Sequence, residues 1–284
     1  WEEDDDPFEL AGKCLANLDL TSSSIGLDPK FWFEFYSRLA TVLPHTNFVN
    51  GGSIMEEARI TKSKDELTLM RRASSLTAEG ILESIEQVTF GMKESEVARI
   101  VADNLTKRSG EPVPASCLVQ SGPNSAIPHG SPSDRIIEKN DVLLIDAGTT
   151  VAGYHGDITY TTVIGEPSER FKKIYDIVLR ANRAAFERAR EGIRCEELDK
   201  VARDLITSEG FGEYFPHRLG HGLGLEVHEG PYLVHGNKRE LKTGMTHTIE
   251  PGIYFLGEFG VRIEDNVVIT KDGAEWLSNI PREI

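Results

Sequence analysis

Four carboxylates and a segment rich in histidine and glycine are the residues of this chain whose types and spacing could do chemistry together. Asp146 and Asp157 flank Val151, Ala152 and Gly153 in a stretch that otherwise reads as two strands, 142–149 and 158–164. A hairpin centred between Val151 and Ala152 sets the two acids opposite each other, and cross-strand partners sit about 4.5–5.5 Å apart at Cβ. Glu250 and Glu264 repeat the pattern about Gly257, and Arg262, two residues before Glu264, points to the same face of its strand. A third segment, His217 to Glu229, carries His217, His221 and His228 among Gly220, Gly222 and Gly224, where backbone can approach a ligand closely. Because His221 and His228 are an odd number of residues apart, strict alternation puts them on opposite faces; a bulge at the glycines is required if both serve one site.

Each acid alone reads most simply as a surface residue of an acidic protein. Together they are different. Four carboxylates and an imidazole in a partly dry site repel one another strongly unless cations intervene. Two divalent ions balance that charge, and a two-metal centre about 3.5–4 Å across, with a bridging water converted to hydroxide near neutral pH, is the matching chemistry. Oxygen-rich ligation with one imidazole suits manganese, cobalt or zinc.

The elements that must hold these residues are legible from periodicity. A capping box, Ser63 to Glu66, opens a helical pattern that continues through Met70, Ala73 and Ile81 to Ile85 and Val88, and a second helix is expected over 94–108. About a hundred residues later the signals recur, with a long helix over 168–190 and a shorter one over 195–208. Gly91 aligns with Gly192, Glu96 with Glu197, Val97 with Leu198 and Leu105 with Ile206. Each helix pair is followed by β-rich sequence: 117–120, 141–150 and 157–165 after the first, 217–228 and 246–269 after the second. The expected fold class is α+β, with a pseudo-twofold repeat of helix pair plus antiparallel sheet and a site where the halves join. Residues 1–56 mix short apolar runs such as Phe31, Trp32 and Phe33 with turn signals, and read as a partial N-terminal domain ahead of a catalytic domain over 57–284.

Composition bounds the rest. The 284 residues carry 31 Lys+Arg against 46 Asp+Glu, a formal net charge of −15, which disfavours nucleic-acid binding. Neither a P-loop nor a dinucleotide glycine fingerprint is present. No apolar run approaches the roughly 18 residues of a membrane span, so no membrane partner is expected. Cys14, Cys117 and Cys195 form no disulfide framework and fit a reducing compartment. With no basic and apolar leader, a cytoplasmic location is expected, and the acidic start from Trp1 to Asp6 reads as a solvated terminus of a fragment.

Five strings carry a resemblance to a known family. Ile145-Asp146-Ala147-Gly148, the run from Gly220 to Glu229, Thr248-Ile249-Glu250-Pro251-Gly252-Ile253-Tyr254 and Val261-Arg262-Ile263-Glu264-Asp265 resemble the pita-bread metallopeptidases, closest to the branch of Xaa-Pro dipeptidases and Xaa-Pro aminopeptidases. The run from Ser121 to Gly130 looks like that branch's substrate-side histidine loop. The resemblance covers about residues 57–284. It implies a pita-bread fold in which Asp146 chelates one metal, Asp157 and Glu264 bridge both, and His221 and Glu250 hold the second. It also implies that His228 stabilises the oxyanion, that His129 hydrogen-bonds near the scissile amide nitrogen, and that His217 and Arg262 lie near the residue after the scissile bond. Glu250 would shuttle the proton to the leaving imino nitrogen.

The activity implied is metal-dependent hydrolysis of the bond between an N-terminal residue and proline in a dipeptide, by a hydroxide bridging two divalent metals, manganese foremost. Arg262, with His217, is the candidate for the free carboxylate. Two other readings stand beside it: an Xaa-Pro aminopeptidase acting on longer peptides, and a peptide-binding module that keeps the fold without catalysis. The partners expected are short proline-containing peptides and a second copy of the chain in a homodimer.

Overall fold

The computed structural model describes residues 1–112 and 117–282 and divides into two compact units, Trp1–Arg59 and Ile60–Ile284. The first unit holds α1 (Pro7–Asn17), β1 (Ser24–Leu27), α2 (Phe33–Val42), β2 (Asn47–Asn50) and α3 (Gly52–Arg59). Asp6 caps α1, its carboxylate accepting the amides of Phe8 and Glu9 at 2.8 and 3.4 Å. Strands β1 and β2 pair in parallel. Little of this unit is core: Trp32 and Phe33, read as part of an apolar run, are 70% and 79% exposed. The division expected between 56 and 57 falls three residues later, because α3 runs unbroken to Arg59.

The second unit opens with α4 (Lys64–Ile85) and α5 (Glu94–Ser109). The capping box that announces α4 forms as read: Ser63 Oγ accepts the Glu66 amide and Glu66 returns a bond to the Ser63 amide at 2.7 Å. β3 (Leu118–Ser121), a short 3-10 turn (Gly122–Ala126), β4 (Val142–Val151) and β5 (Tyr154–Val163) follow, and the strands form one antiparallel sheet in the order β3-β4-β5. Then come α6 (Glu169–Arg188) and α7 (Cys195–Ser208), and the strands β6 (Gly220–Gly222), β7 (Glu229–Leu233), β8 (Thr246–Ile249), β9 (Gly252–Phe255), β10 (Phe259–Arg262), β11 (Asp265–Thr270) and β12 (Gly273–Trp276). Five of these make a second sheet, β12-β11-β8-β6-β7, and β9-β10 form a hairpin.

The repeat is visible in backbone detail. Lys93 immediately precedes α5 and bridges to Ile136, as Arg194 immediately precedes α7 and bridges to Glu240. Gly91 and Gly192 both take positive φ, +96° and +83°, and their amides reach the carbonyls of Ile137 and Leu241 at 2.8 Å each. Each half has its own core: α4, α5 and β3–β5 enclose Ile81, Val97, Leu105 and Ile145, while α6, α7 and the second sheet enclose Ile174, Val178, Leu198 and Ile263. At the seam, side chains replace a ladder. Thr161 Oγ1 donates to the Arg262 carbonyl at 2.7 Å, and Asn266 accepts the Asp157 amide at 2.9 Å and donates to the Asp157 carbonyl at 2.6 Å.

Two local expectations are corrected. The first hairpin turns at Ala152 and Gly153, both at positive φ, so Asp146 lies opposite Thr159 and Asp157 opposite Gly148. The acids are diagonal neighbours on one face rather than direct partners. The stretch 217–228 is not one strand; only Gly220–Gly222 pairs, with a register shift between His221 and Gly222. A Cβ on Gly222 would stand 2.0 Å from the Gly230 carbonyl oxygen, which is why glycine is needed at this break. Among the described residues no helix is long and apolar enough to cross a membrane.

Candidate metal centre

All nine residues singled out from the sequence line one cleft of 560 Å³: His129, Asp146, Asp157, His217, His221, His228, Glu250, Arg262 and Glu264. They arrive from both halves. β4 and β5 bring Asp146 and Asp157, β6 brings His221, and Glu250 and Glu264 occupy the joints β8–β9 and β10–β11. The register about Gly257 is the one read from the sequence. Ile249 pairs with Asp265 and Gly252 with Arg262, which leaves Glu250 and Glu264 facing each other between the two ladders. The bulge after His221 swings the chain so that the His221 and His228 rings come within 4.1 Å, despite their odd spacing.

Asp157, His221 and Glu264, all buried, each place one ligand atom within 4.8 Å of the others. His221 donates from Nδ1 to the Gly222 carbonyl at 3.1 Å, which fixes the tautomer and turns the Nε2 lone pair toward Glu250 Oε1 at 3.4 Å and Asp157 Oδ2 at 3.7 Å. A lone pair facing carboxylate oxygens calls for a cation between them. Burial pushes Glu250 up to about 7. It also raises Asp157 and Glu264 well above the carboxylate range, with neighbouring acids adding to the effect. Burial and the nearby His228 push His221 down to about 3, so its ring is neutral at pH 7. This donor set, carboxylate oxygens plus one neutral imidazole, fits divalent ions of the manganese, cobalt and zinc kind.

Arg262 is the group whose situation differs most from its expected role. Its guanidinium is 2% exposed and fully engaged: with Asp146 Oδ2, with Thr159 Oγ1 at 3.0 Å, with Tyr254 Oη at 3.0 Å and with the Pro128 carbonyl at 3.2 Å. It therefore fixes the orientation of Asp146 and offsets one negative charge, which still leaves an uncompensated acidic cluster. His217 binds Tyr254 Oη through Nε2 at 2.8 Å, and burial lowers it to about 3. His228 is held below its ordinary value by burial and the charge of Arg218. His155 and His247 do not line the cleft.

Several supporting residues gave little signal in sequence. Thr159 donates to Glu264 Oε2 at 2.6 Å, and Thr248 joins Glu250 at 3.2 Å and the His221 amide at 3.1 Å. The buried Asp199 accepts the Leu219 amide at 3.0 Å and holds Arg203, which donates to the His217 carbonyl at 2.7 Å. Glu94, fully buried at the start of α5, accepts from the backbone amides and hydroxyls of Ser121 and Ser133 and from Asn124, closing the ends of the loop that carries His129. Arg218 and Val234 also line the cleft. An acid at a helix start or an arginine beside a histidine is too common a pattern to stand out alone. A repeat-aware reading could have found Glu94, whose counterpart Cys195 cannot accept five bonds.

Known proteins resemble this chain in sequence and in fold. The Xaa-Pro dipeptidase of Pyrococcus horikoshii is 41% identical over 262 residues, which are 92% of this chain and 74% of that relative. The Xaa-Pro dipeptidase of Pyrococcus furiosus is 43% identical over 232 residues, so the chain spans about two thirds of its length. Among solved structures, a Pyrococcus horikoshii dipeptidase superposes with TM-score 0.96 at 36% identity, covering 100% of this chain and 79% of that one. An X-Pro aminopeptidase from Thermotoga maritima superposes with TM-score 0.92, also at 36% identity, covering 98% and 78%. The family model described as metallopeptidase family M24 matches residues 68–271, a span that contains both halves of the repeat and every residue of the acidic cluster; the chain belongs to that family.

Proposed function

We propose that this chain is an Xaa-Pro dipeptidase, hydrolysing the bond between an N-terminal residue and a C-terminal proline, with catalysis in residues 57–284. The observation that carries the reading is the convergence of Asp146, Asp157, His221, Glu250 and Glu264 on one cleft, with three of the acids driven toward their protonated forms by burial and mutual repulsion. Asp146, Asp157, His221, Glu250 and Glu264 would hold two divalent ions, manganese foremost, with Asp157 and Glu264 shared. When bound, such ions polarise a carbonyl and bring water to its conjugate base near neutral pH.

The chain's own groups do the rest. Glu250 moves the proton from the attacking water toward the imino nitrogen, a role suited to a buried carboxyl that titrates near neutrality. His228, exposed on the cleft wall and neutral, donates a hydrogen bond to the developing oxyanion, and His129 supports the amide nitrogen from the opposite loop. Proline leaves as a secondary amine whose amide nitrogen carries no hydrogen, so recognition must come from ring shape and the terminal carboxylate. His217 and Tyr254 supply the wall against the ring. Arg262 secures that wall and Asp146 together.

The likeness to a solved X-Pro aminopeptidase favours a second reading, in which longer peptides are accepted. One assay separates the two: Mn-loaded protein on Met-Pro, a Met-Pro-Yaa tripeptide and Met-Ala, with a chelated control. Dominant cleavage of Met-Pro that chelation abolishes is expected; tripeptide preference moves the assignment to an aminopeptidase, and no cleavage of any overturns the enzymatic reading. A homodimer is also proposed, and light scattering that returns a monomer mass counts against it.

A further inference from the structure

A dipeptidase must engage a carboxylate that a longer peptide lacks, so a cation with free donors is required in the cleft. Among the lining residues Arg218 and Arg262 carry permanent positive charge. Arg262 is excluded as that cation by its own bonds: it is 2% exposed, with Asp146, Thr159, Tyr254 and the Pro128 carbonyl taking its donors. Arg218 is the opposite case. It is partly exposed, and among the described residues its side chain forms no hydrogen bond and no ion pair. Its guanidinium carbon lies over the Tyr232 ring, 4.7 Å from the centroid.

That contact has two consequences. Tyr232 is the ladder partner of His221, so it places Arg218 beside the acidic cluster. The Arg218 side chain lines the same cleft as His221, His228 and Glu250. A guanidinium over a ring, with no hydrogen bond of its own, also keeps its N–H fork free, and that fork matches a carboxylate with two parallel bonds. In a cleft with four acids, an arginine that pairs with none of them is restrained for another anion.

We infer that Arg218, braced on Tyr232, is the specificity-determining residue that binds the free C-terminal carboxylate of a dipeptide substrate. This rests on the dipeptidase reading and deepens it: preference for dipeptides over longer chains arises from one bidentate ion pair rather than from cleft length. Arg218→Gln removes the charge and Arg218→Lys keeps it without the fork. In the Mn-loaded enzyme Arg218→Gln is expected to raise KM for Met-Pro by about ten- to hundredfold, as loss of charged hydrogen bonds does, with kcat little changed. Arg218→Lys should fall between, and both variants should cleave Met-Pro amide like the wild type. Metal content and melting temperature should match the wild type, which separates this effect from damage to the metal centre. Equal losses on the acid and the amide would overturn the inference.

A second measurement needs no turnover. Calorimetric titration of the Mn-loaded wild type should show tighter binding of L-proline than of prolinamide, a preference that Arg218→Gln abolishes. Equal binding of the two by the wild type would overturn the inference whatever the peptide assays give. A wild type that prefers proline yet cleaves no peptide would instead sink the dipeptidase reading and leave the carboxylate site standing.

Discussion

Glu250 shows how much a single carboxyl depends on what surrounds it. Burial lifts it to about 7 in the metal-free chain, whereas the unfolded chain leaves it at its ordinary value. The folded state therefore holds a proton that the unfolded state has lost between about pH 4.5 and 7, and stability contributed by this group falls as pH rises through that window. Glu250→Gln should accordingly stabilise the chelated protein at pH 8 by roughly 3–4 kcal/mol, from the cited shift at about 1.4 kcal/mol per pH unit, with the difference vanishing near pH 4. Denaturant melts of both proteins at pH 4.5 and pH 8 check it; a gap that ignores pH would count against burial as the cause. The same replacement should remove peptide hydrolysis. His221 behaves oppositely, its depressed value marking a ring that resists protonation, so divalent-ion affinity should drop as pH falls through 7 while Glu250 and its neighbours take up protons.

At the scale of elements, the site is held by polar braces that reach from helices into loops. His129 is exposed on its loop, and its position is set by the backbone around it. Glu94 ties Ser121 and Ser133 to one carboxylate, at 2.6 Å to each of the Ser121 amide and the Ser133 hydroxyl. Glu94→Gln sets an amide N–H against those donors, so it should destabilise by about 3 kcal/mol and lower kcat roughly tenfold or more through misplacement of His129. A double-mutant cycle with His129→Ala is the check, since the two effects on kcat should not add. On the other side, the buried pair of Lys62 and Glu229, 2.8 Å apart, secures the turn ending in His228; Glu229 also accepts the Glu226 amide at 3.3 Å. Lys62→Met strands a buried charge and should cost about 3–5 kcal/mol, measurable by urea unfolding.

Over the second unit as a whole, the cluster sits where two sheets meet without a continuous ladder. Asp146 and Asp157 come from one half, and His221, Glu250 and Glu264 from the other. Mutual repulsion among the acids works against the seam, and bound cations turn it into attraction across it. Loading with manganese should therefore raise the melting temperature in a single cooperative step, by the equivalent of about 4 kcal/mol at a thousandfold excess over Kd. Differential scanning calorimetry with and without chelator tests this; two separate transitions would mean the halves are not coupled through the site.

The sequence by itself determined the repeat, the helices and which residues would share one cleft. Ser63 and Glu66 mark the start of α4, Gly91 and Gly192 mark equivalent turns, and the symmetry about Gly257 sets the register that brings Glu250 opposite Glu264. These are local signals, carried by period and by residues whose φ or hydrogen bonding is restricted. The tertiary structure decided what no local signal encodes. It moved the first hairpin's turn to Ala152 and Gly153, where two positive φ values fit the strand twist. It broke the strand after His221, and it buried Arg262 against Asp146 while leaving Arg218 open on Tyr232. Two arginines of one type, both in the site's own segments, differ in role because one is desolvated among acceptors and the other is not. That distinction arises from the packing of strands distant in sequence and cannot be read from either residue's neighbours.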